Sequence, residues 1–155
     1  MRTLAIDLGQ RRVGLALSDE GGRFATPLEV LFVSSAEAAT EPILAILCRE
    51  GVQRVVLGLP LNMDGTAGPI AQQTFAWGKA LAGQSGLPVV FVDERLSSFD
   101  AEQTLVARKR AGEKLTRQRK KERLDAVAAA SFLQAFLDGK LAPLTPPESI
   151  HGSFL

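Results

Sequence analysis

The chain of 155 residues and 16.6 kDa is 46% apolar and contains eight Phe, which is enough to fill the core of one ordinary domain and excludes a disordered protein. Its 18 Lys and Arg residues nearly balance its 17 Asp and Glu residues, so the net charge of +1 does not by itself indicate a nucleic-acid or membrane partner. One Cys and one His exclude an internal disulfide and a Cys/His zinc cluster, so oxygen ligands have to bind any metal.

The first third of the chain predicts an antiparallel meander of three strands. Short apolar runs separated by Gly-containing turns predict strands over Thr3 to Asp7, Val13 to Ser18 and Thr26 to Val33. The acid at position 7 comes too early for the apolar core of a signal peptide, and no later apolar run is long enough to span a bilayer. We therefore expect a cytoplasmic protein with no membrane partner.

After the meander the chain alternates between helical and strand-like patterns. Ser34 or Ser35 can cap a helix that ends near Glu50, and Cys48 and Trp77 fall within helical patterns as packing residues. The later predicted elements are, in order, a strand over 53–57, a loop over 58–68, a helix over 70–83, a strand over 87–92, a helix from Ser97 or Ser98 to Ala111, and a helix over 124–137.

This order of elements predicts an α/β fold with a mixed five-stranded sheet. The β-α units make parallel neighbours of the first, fourth and fifth strands, while the meander remains antiparallel, and helices cover both faces. No linker divides the chain, so we predict one domain over residues 1–138. The tail over 139–155 contains three Pro and is expected to be irregular.

Three acids occupy positions that this topology would bring together. Asp7 and Glu94 end two apolar strands that are predicted to be parallel, so both come out at the same carboxyl edge of the sheet. Asp125 shares a helix face with Ala128, Ala129 and Phe132, on the side that packs against the sheet. Each acid also has a plainer interpretation: a turn residue for Asp7, a solvated ion pair for Glu94 and a helix-dipole partner for Asp125.

Three converging carboxylates would repel one another unless a cation neutralised them. Hard oxygen ligands without His or Cys favour Mg²⁺ or Mn²⁺, and two such ions can activate water and stabilise the leaving oxygen of a phosphodiester. The predicted chemistry is therefore phosphodiester hydrolysis.

The neutral average charge conceals a basic segment over residues 108–123. This segment holds nine of the 18 Lys and Arg residues and two of the 17 Asp and Glu residues, a net charge of +7. It is either a solvated surface or an arm that binds phosphates, and a metal site at the same edge favours nucleic acid. The candidate phosphate-binding residues in it are Lys109, Arg110, Lys114, Arg117, Arg119, Lys120 and Lys121.

Two loops at the same edge supply further candidates for substrate binding. Arg11 and Arg12 lie in the turn after Asp7, and Asn62 lies in the loop GLPLNMDG after the fourth strand. Solvated turn arginines and an ordinary Asp-Gly turn explain the same residues without a ligand.

Four blocks of the sequence resemble the YqgF/RuvX family of Holliday-junction resolvases and pre-16S rRNA nucleases. The blocks are IDLGQRRVGLALSD, GLPLNMDG, VDERLSS and LDAVAAASFLQAFLD, which together reach from about Met1 to Asp138. The third block has Ser97-Ser98 where the family usually has threonine or Ser-Thr after the leucine, and a hydroxyl is kept. The resemblance implies a ribonuclease-H-like fold.

For the site, the resemblance implies that Asp7, Glu94 and Asp125 bind the metal and that Arg12, Asn62 and Arg95 lie near substrate. We expect a structure-selective nuclease that acts on a four-way DNA junction or a structured precursor rRNA. A homodimer would suit the DNA substrate, because symmetric cutting needs two active sites. A nucleic-acid-binding protein without hydrolytic activity is the alternative. A nucleotide phosphotransferase would need a second domain, for which 155 residues are too few.

Overall fold

The computed structural model describes residues 1–97 and 117–144, with the side chains of all of these except residues 96–97 and 117–125. Its strands are β1 Thr3–Leu8, β2 Arg12–Ser18, β3 Ala25–Phe32, β4 Arg54–Leu59 and β5 Val89–Asp93. Its α-helices are α1 Thr40–Arg49, α2 Pro69–Ser85 and α3 Arg117–Leu137, and short 3₁₀ turns span Glu37–Ala39 and Glu94–Ser97. None of the described helices combines the length and the apolar character that crossing a membrane requires.

The five strands form one mixed sheet in the order β3-β2-β1-β4-β5. β1, β2 and β3 pair antiparallel, whereas β1 pairs parallel with β4 and β4 pairs parallel with β5. The predicted mixed sheet, with an antiparallel meander and two further parallel strands, is therefore confirmed. The carboxyl ends of β1, β4 and β5 meet at one edge, which is called the carboxyl edge below.

A tight turn between β1 and β2 begins at this edge. The amide of Gly9 donates a hydrogen bond to the carbonyl of Arg12 over 3.0 Å. A Cβ at position 9 would lie only 2.4 Å from that carbonyl oxygen, so a side chain there would force the turn open. The turn thus requires Gly and fixes where β2 starts relative to Asp7.

Helices cover both faces of the sheet, as the alternation of side chains along the strands requires. On one face, Leu4, Ile6 and Leu57 pack with α1 and α2. On the other, small or β-branched side chains meet α3, and the buried members of that cluster are Ala5, Ala16, Val56, Val92, Ala129, Ala130, Phe132, Leu133 and Leu141. The small residues let α3 lie close to β1, which carries Asp7, and to the 3₁₀ turn that begins at Glu94.

The packing prediction holds for Trp77 and fails for Cys48. Trp77 is buried, and its indole N–H donates to the hydroxyl of Thr40 over 3.1 Å. Cys48 is exposed, because each residue of a helix turns by about 100° and the buried stripe of α1 already contains Ile46 and Leu47. The lone cysteine therefore lies on the outer surface of α1.

Several element boundaries differ from the predicted ones. The hydroxyl of Ser35 accepts a 3.3 Å bond from the amide of Ala38, so the predicted cap exists, but the α-helix itself starts later, at Thr40. The last helix starts at Arg117, seven residues before the predicted Leu124. The helix predicted from Ser97 or Ser98 to Ala111 lies outside the described residues, apart from Ser97, which closes a 3₁₀ turn.

The chain stays packed against the sheet beyond residue 138. After α3 ends, Gly139 adopts a positive φ of 75° and Leu141 is buried. The amide of Leu144 then donates a 2.7 Å hydrogen bond to the carbonyl of Phe91, forming an antiparallel bridge on the outer side of β5. The described part of the tail therefore belongs structurally to the domain.

Candidate active site

Asp7 and Glu94 come together on the face of the sheet that α3 covers. Asp7 is the penultimate residue of β1, and Glu94 directly follows β5. β4 runs between these two strands, with Ile6 level with Leu57 and Gly58 level with Val92. Gly58 therefore lies between the two acids, as the predicted convergence at the carboxyl edge requires.

The two carboxyl groups are hydrogen-bonded to each other. Burial of the half-buried Glu94 raises its pKa from the ordinary 4.5 to about 9, and the negative charge of Asp7, the hydrogen bond that the protonated Glu94 donates to Asp7 and the charge of Asp93 act in the same direction. A hydrogen bond between two carboxyl groups needs one shared proton. At neutral pH the pair therefore carries less than two negative charges unless a cation replaces that proton.

Gly58 makes the close approach of Glu94 possible. A Cβ at position 58 would lie 3.0 Å from both Cβ and Oε2 of Glu94, and 3.0 Å from Cε2 of Phe132. The absent side chain thus leaves the space that the carboxylate fills. The sequence interpretation missed this role because it ended the strand at Leu57 and placed Gly58 in a loop, whereas β4 continues to Leu59. A glycine inside a strand is itself a signal of close approach.

Position 125 lies on the helix face that packs over the acids. Its backbone is part of α3, and its side chain is outside the described part of the structure. Helical spacing puts it on the face of Ala129 and Phe132, both buried, and the ring of Phe132 lies over Gly58. Helix α3 also contacts the 3₁₀ turn that begins at Glu94.

Helix α3 runs from the carboxyl edge towards the opposite edge. Phe132 lies over Gly58 near the end of β4, whereas the guanidinium of Arg54, at the start of β4, lies 4.8 Å from the ring centre of Phe136. Between these two rings, the side chain of Gln134 accepts from the amide of Ala25, at the start of β3, over 2.8 Å. The N-terminal turns of α3 therefore extend towards the edge that holds Asp7 and Glu94.

These N-terminal turns carry part of the predicted basic segment. Arg117, Arg119, Lys120 and Lys121 belong to α3, although their side chains are not among those described. Lys109, Arg110 and Lys114 lie outside the described residues.

Arg95 forms an ion pair with Asp93. Its Nε donates to Oδ1 of the buried Asp93 over 2.9 Å, and its Nη2 donates to Oδ2 over 2.6 Å. Its Nη1 donates to the carbonyl oxygen of Asn62, which joins the end of β5 to the loop after β4. The plainer interpretation of Glu94 was a solvated ion pair, and its neighbour Arg95 is held by the carboxylate of Asp93.

The side chain of Asn62 stabilises its own loop. Its Nδ2 donates to the hydroxyl of Thr66 over 3.0 Å, and its amide donates to the Thr66 carbonyl over 2.8 Å. Oδ1 of Asp64 accepts from the amide and the hydroxyl of Thr66, and these bonds lower the pKa of Asp64. Asn62 remains exposed at the carboxyl edge.

The two arginines of the first turn differ in their surroundings. Arg11 is exposed, whereas Arg12 is half-buried at the start of β2. Alternation along β2 puts Arg12 on the face of Ala16, which packs with α3, and Asp7 is level with Gly14 on that same face. Arg12 therefore lies on the side of the sheet that holds the acid pair.

The donor set fits a hard divalent cation. Two carboxylates that share a proton offer several oxygen ligands with excess negative charge, which is the environment that Mg²⁺ or Mn²⁺ prefers. Among the side chains described, no three His, Cys, Asp or Glu residues are grouped closely enough to hold a metal, and Asp125 is not in that set.

The known proteins that this chain resembles match it over nearly its whole length. A model of the RuvX family, described as Holliday junction resolvase, matches residues 1–139. A protein of Symbiobacterium thermophilum named "Putative pre-16S rRNA nuclease" is 43% identical over 149 residues, covering 96% of this chain and 99% of that protein. A protein of the same name from an Anaeromyxobacter species is 44% identical over 142 residues, covering 92% and 100%.

Two solved structures share the fold at low sequence identity. RuvC of T. thermophilus, in complex with a Holliday junction substrate, gives a TM-score of 0.57 at 22% identity, covering 93% of this chain and all of that one. The fowlpox virus Holliday junction resolvase gives a TM-score of 0.53 at 14% identity, covering 90% and 99%. Identities this low establish the shared fold alone.

Proposed function

The chain belongs to the RuvX family, and on that premise we propose that it is a metal-dependent nuclease that hydrolyses phosphodiester bonds in branched or structured nucleic acid. The observation that carries the proposal is the hydrogen-bonded pair of Asp7 and Glu94, which two parallel strands bring to one edge of the sheet. Placing two like charges in contact costs free energy, and binding a cation recovers it.

In this proposal Asp7, Glu94 and Asp125 hold two Mg²⁺ or Mn²⁺ ions. When bound, the ions supply an activated water and stabilise charge on the leaving oxygen. The protein itself holds these acidic side chains in position. Gly58 gives Glu94 its space, and α3 presses the face that carries position 125 onto the sheet.

The basic residues would bind the phosphates that flank the cut. The direction of α3 supports this role, because its N-terminal turns, with Arg117, Arg119, Lys120 and Lys121, extend towards the acids. Arg11 and Arg12 follow the same edge, and Lys109, Arg110 and Lys114 would continue the basic surface. Contacts to phosphates position a substrate without reading its sequence, so recognition would depend on shape.

Two substrates fit this chemistry. The family description favours a four-way DNA junction, whereas the names of the relatives favour a precursor of 16S rRNA. A junction resolvase that cuts symmetrically would act as a homodimer, and an RNA-processing nuclease would not need to. Asn62 and Arg95 would then act through the loop that they hold at the edge.

The test compares the wild type with Asp7→Asn on an end-labelled four-way DNA junction and on a structured precursor-type RNA. Each is incubated with Mg²⁺, with Mn²⁺ and with a chelator. We expect cutting by the wild type only, with either metal and not with the chelator, and the preferred substrate decides between resolvase and RNA-processing nuclease. Binding of both substrates without any cutting would contradict the proposal and support a nucleic-acid-binding protein instead.

A further inference from the structure

Met63 is the most exposed of the large apolar side chains in the described part of the chain. It is 98% exposed, in the loop that follows β4, whereas its neighbours Leu61 and Ala67 are buried and anchor the two ends of that loop. Exposing a whole methionine side chain to water forgoes the free energy of burying it. A single exposed apolar residue is ordinary, so the inference depends on how this one is held and where it lies.

The loop that carries Met63 is held by its own hydrogen bonds. The amide of Asn62 donates to the carbonyl of Thr66 over 2.8 Å, and the amide of Gly65 donates back to the carbonyl of Asn62 over 2.9 Å. Gly65 has a φ of 87°, which favours glycine, and Asp64 accepts from Thr66 twice. Met63 is thus presented by an ordered turn, so less backbone entropy is lost when a ligand contacts it.

This turn is also joined to the acid pair. Arg95 donates to the carbonyl of Asn62, the residue before Met63, and Arg95 itself directly follows Glu94. The buried carboxylate of Asp93 fixes the guanidinium through several bonds. A nucleic acid with a phosphodiester at Asp7 and Glu94 would therefore have its neighbouring nucleotides at this turn.

We propose that the side chain of Met63 packs against the face of an unstacked nucleobase next to the cut. This step rests on the proposed function, because it needs a nucleic acid at the acid pair. A thioether makes favourable contacts with aromatic rings, and apolar side chains that insert between base steps have to unstack them at a cost in free energy, which a base that is already partly unstacked reduces. Continuous duplex keeps its bases stacked, whereas a branch point or a bulge exposes a base face. Met63 would therefore select branched or interrupted substrates over continuous duplex.

The experiment measures binding with 2-aminopurine, whose fluorescence rises when the base is unstacked. The probe is placed at the branch point of a four-way DNA junction, at the bulge of a structured RNA, and in the middle of a continuous duplex of each kind. All proteins carry Asp7→Asn so that nothing is cut during the measurement. The variants compared are Met63→Ala, Met63→Leu and, as a matched control, Phe24→Ala. Phe24 is 67% exposed and precedes β3 at the opposite edge of the sheet.

Binding of the parent protein should raise the fluorescence at the branch point or bulge, because Met63 holds the base out of the stack. With Met63→Ala we expect this rise to disappear and the affinity for the interrupted substrate to fall about tenfold, with the affinity for duplex unchanged. Met63→Leu should keep most of both effects, and Phe24→Ala should keep all of them. The substrate that shows the effect identifies whether the base belongs to DNA or RNA.

The proposal is overturned if Met63→Ala behaves as Phe24→Ala does on both substrates, or if it weakens duplex binding equally. The readout does not depend on cutting. A wild type that fails to cut would therefore contradict the proposed function while leaving the result for Met63 decisive.

Discussion

The carboxyl group of Glu94 is hydrogen-bonded to that of Asp7 over a glycine that leaves no side chain between them. Two strands distant in sequence supply these acids, and the parallel pairing of both with β4 fixes their separation. The pair is unfavourable when fully ionised and favourable when it shares a proton or binds a cation. Its state should therefore control both the stability of the fold and the chemistry.

The first prediction concerns the pH dependence of stability without metal. The pKa of Glu94 is about 9 in the fold and near 4.5 in the unfolded chain, so the folded state binds the proton more tightly. The corresponding stability is fully present below about pH 4.5 and is lost as the pH rises towards 9. In chelator, the melting temperature of the wild type should fall relative to that of Glu94→Gln as the pH rises from about 4.5 to 9. Mg²⁺ should remove this difference in pH dependence. If the melting temperatures of the two proteins changed in parallel with pH in chelator, the raised pKa of Glu94 would be contradicted.

The second prediction concerns Gly58. In Gly58→Ala the new Cβ would lie 3.0 Å from Glu94 and from Phe132, so the carboxylate or the helix has to move. Overpacking of this kind costs about 1–3 kcal/mol of stability, and displacement of Glu94, which we propose as a metal ligand, should lower the cleavage rate at least tenfold. Denaturant unfolding and cleavage assays measure the two effects.

Gly83→Ala is the matched control for Gly58→Ala. Position 83 lies in α2, and a Cβ there would have nothing within 4 Å. Alanine in an exposed helix should stabilise the protein by roughly 0.5–1 kcal/mol and leave cleavage unchanged. Equal effects of the two substitutions on cleavage would show that Gly58 has no special role.

The third prediction concerns the ion pair of Arg95 with Asp93. Arg95→Ala removes the guanidinium that binds the buried Asp93 carboxylate, leaving the amide of residue 95 as a donor to it, and removes the donor to the carbonyl of Asn62, which should cost about 1–3 kcal/mol. It should also speed hydrogen exchange of the Asn62 and Gly65 amides, whose bonds close the loop. Arg95→Lys keeps the charge without the planar fork and should be intermediate. Unchanged exchange in Arg95→Ala would mean that the loop does not depend on Arg95.

The fourth prediction concerns the basic turns of α3. Replacing Lys120 and Lys121 with Ala should weaken binding to all nucleic-acid sequences alike. The slope of log affinity against log salt should fall by about 0.7–0.9 for each phosphate that the variant no longer neutralises. Lys79→Ala is the control, since Lys79 lies on α2, which packs on the opposite face of the sheet, with its Nζ 5.7 Å from the Phe75 ring centre. An unchanged slope for the double variant would show that these lysines are only solvated.

The sheet and the meeting of Asp7 with Glu94 could be predicted from sequence because both follow from local patterns. Apolar runs mark strands, and the β-α units make parallel neighbours whose carboxyl ends share an edge. The family resemblance added the fold name and the reaction class, which the matching family model and the relatives then bore out.

The remaining contacts depend on register and on pairs of residues that no local pattern connects. Gly58 matters because β4 continues two residues further than its apolar run, and Cys48 is exposed because the helix turns it away from Leu47. Arg95 pairs with Asp93, the residue before Glu94, whereas Glu94 contacts Asp7 across the sheet. Such contacts depend on where the folded chain places side chains that are distant in the sequence.

The bridge between Leu144 and Phe91 also has a consequence for association with other molecules. An outermost strand normally offers unpaired amides and carbonyls to any passing chain, and proteins tend to cover such edges. Here the bond from the Leu144 amide occupies the Phe91 carbonyl on the outer side of β5. The protein thus uses its own backbone to hinder the addition of another strand at Phe91, on the strand that leads directly into Glu94.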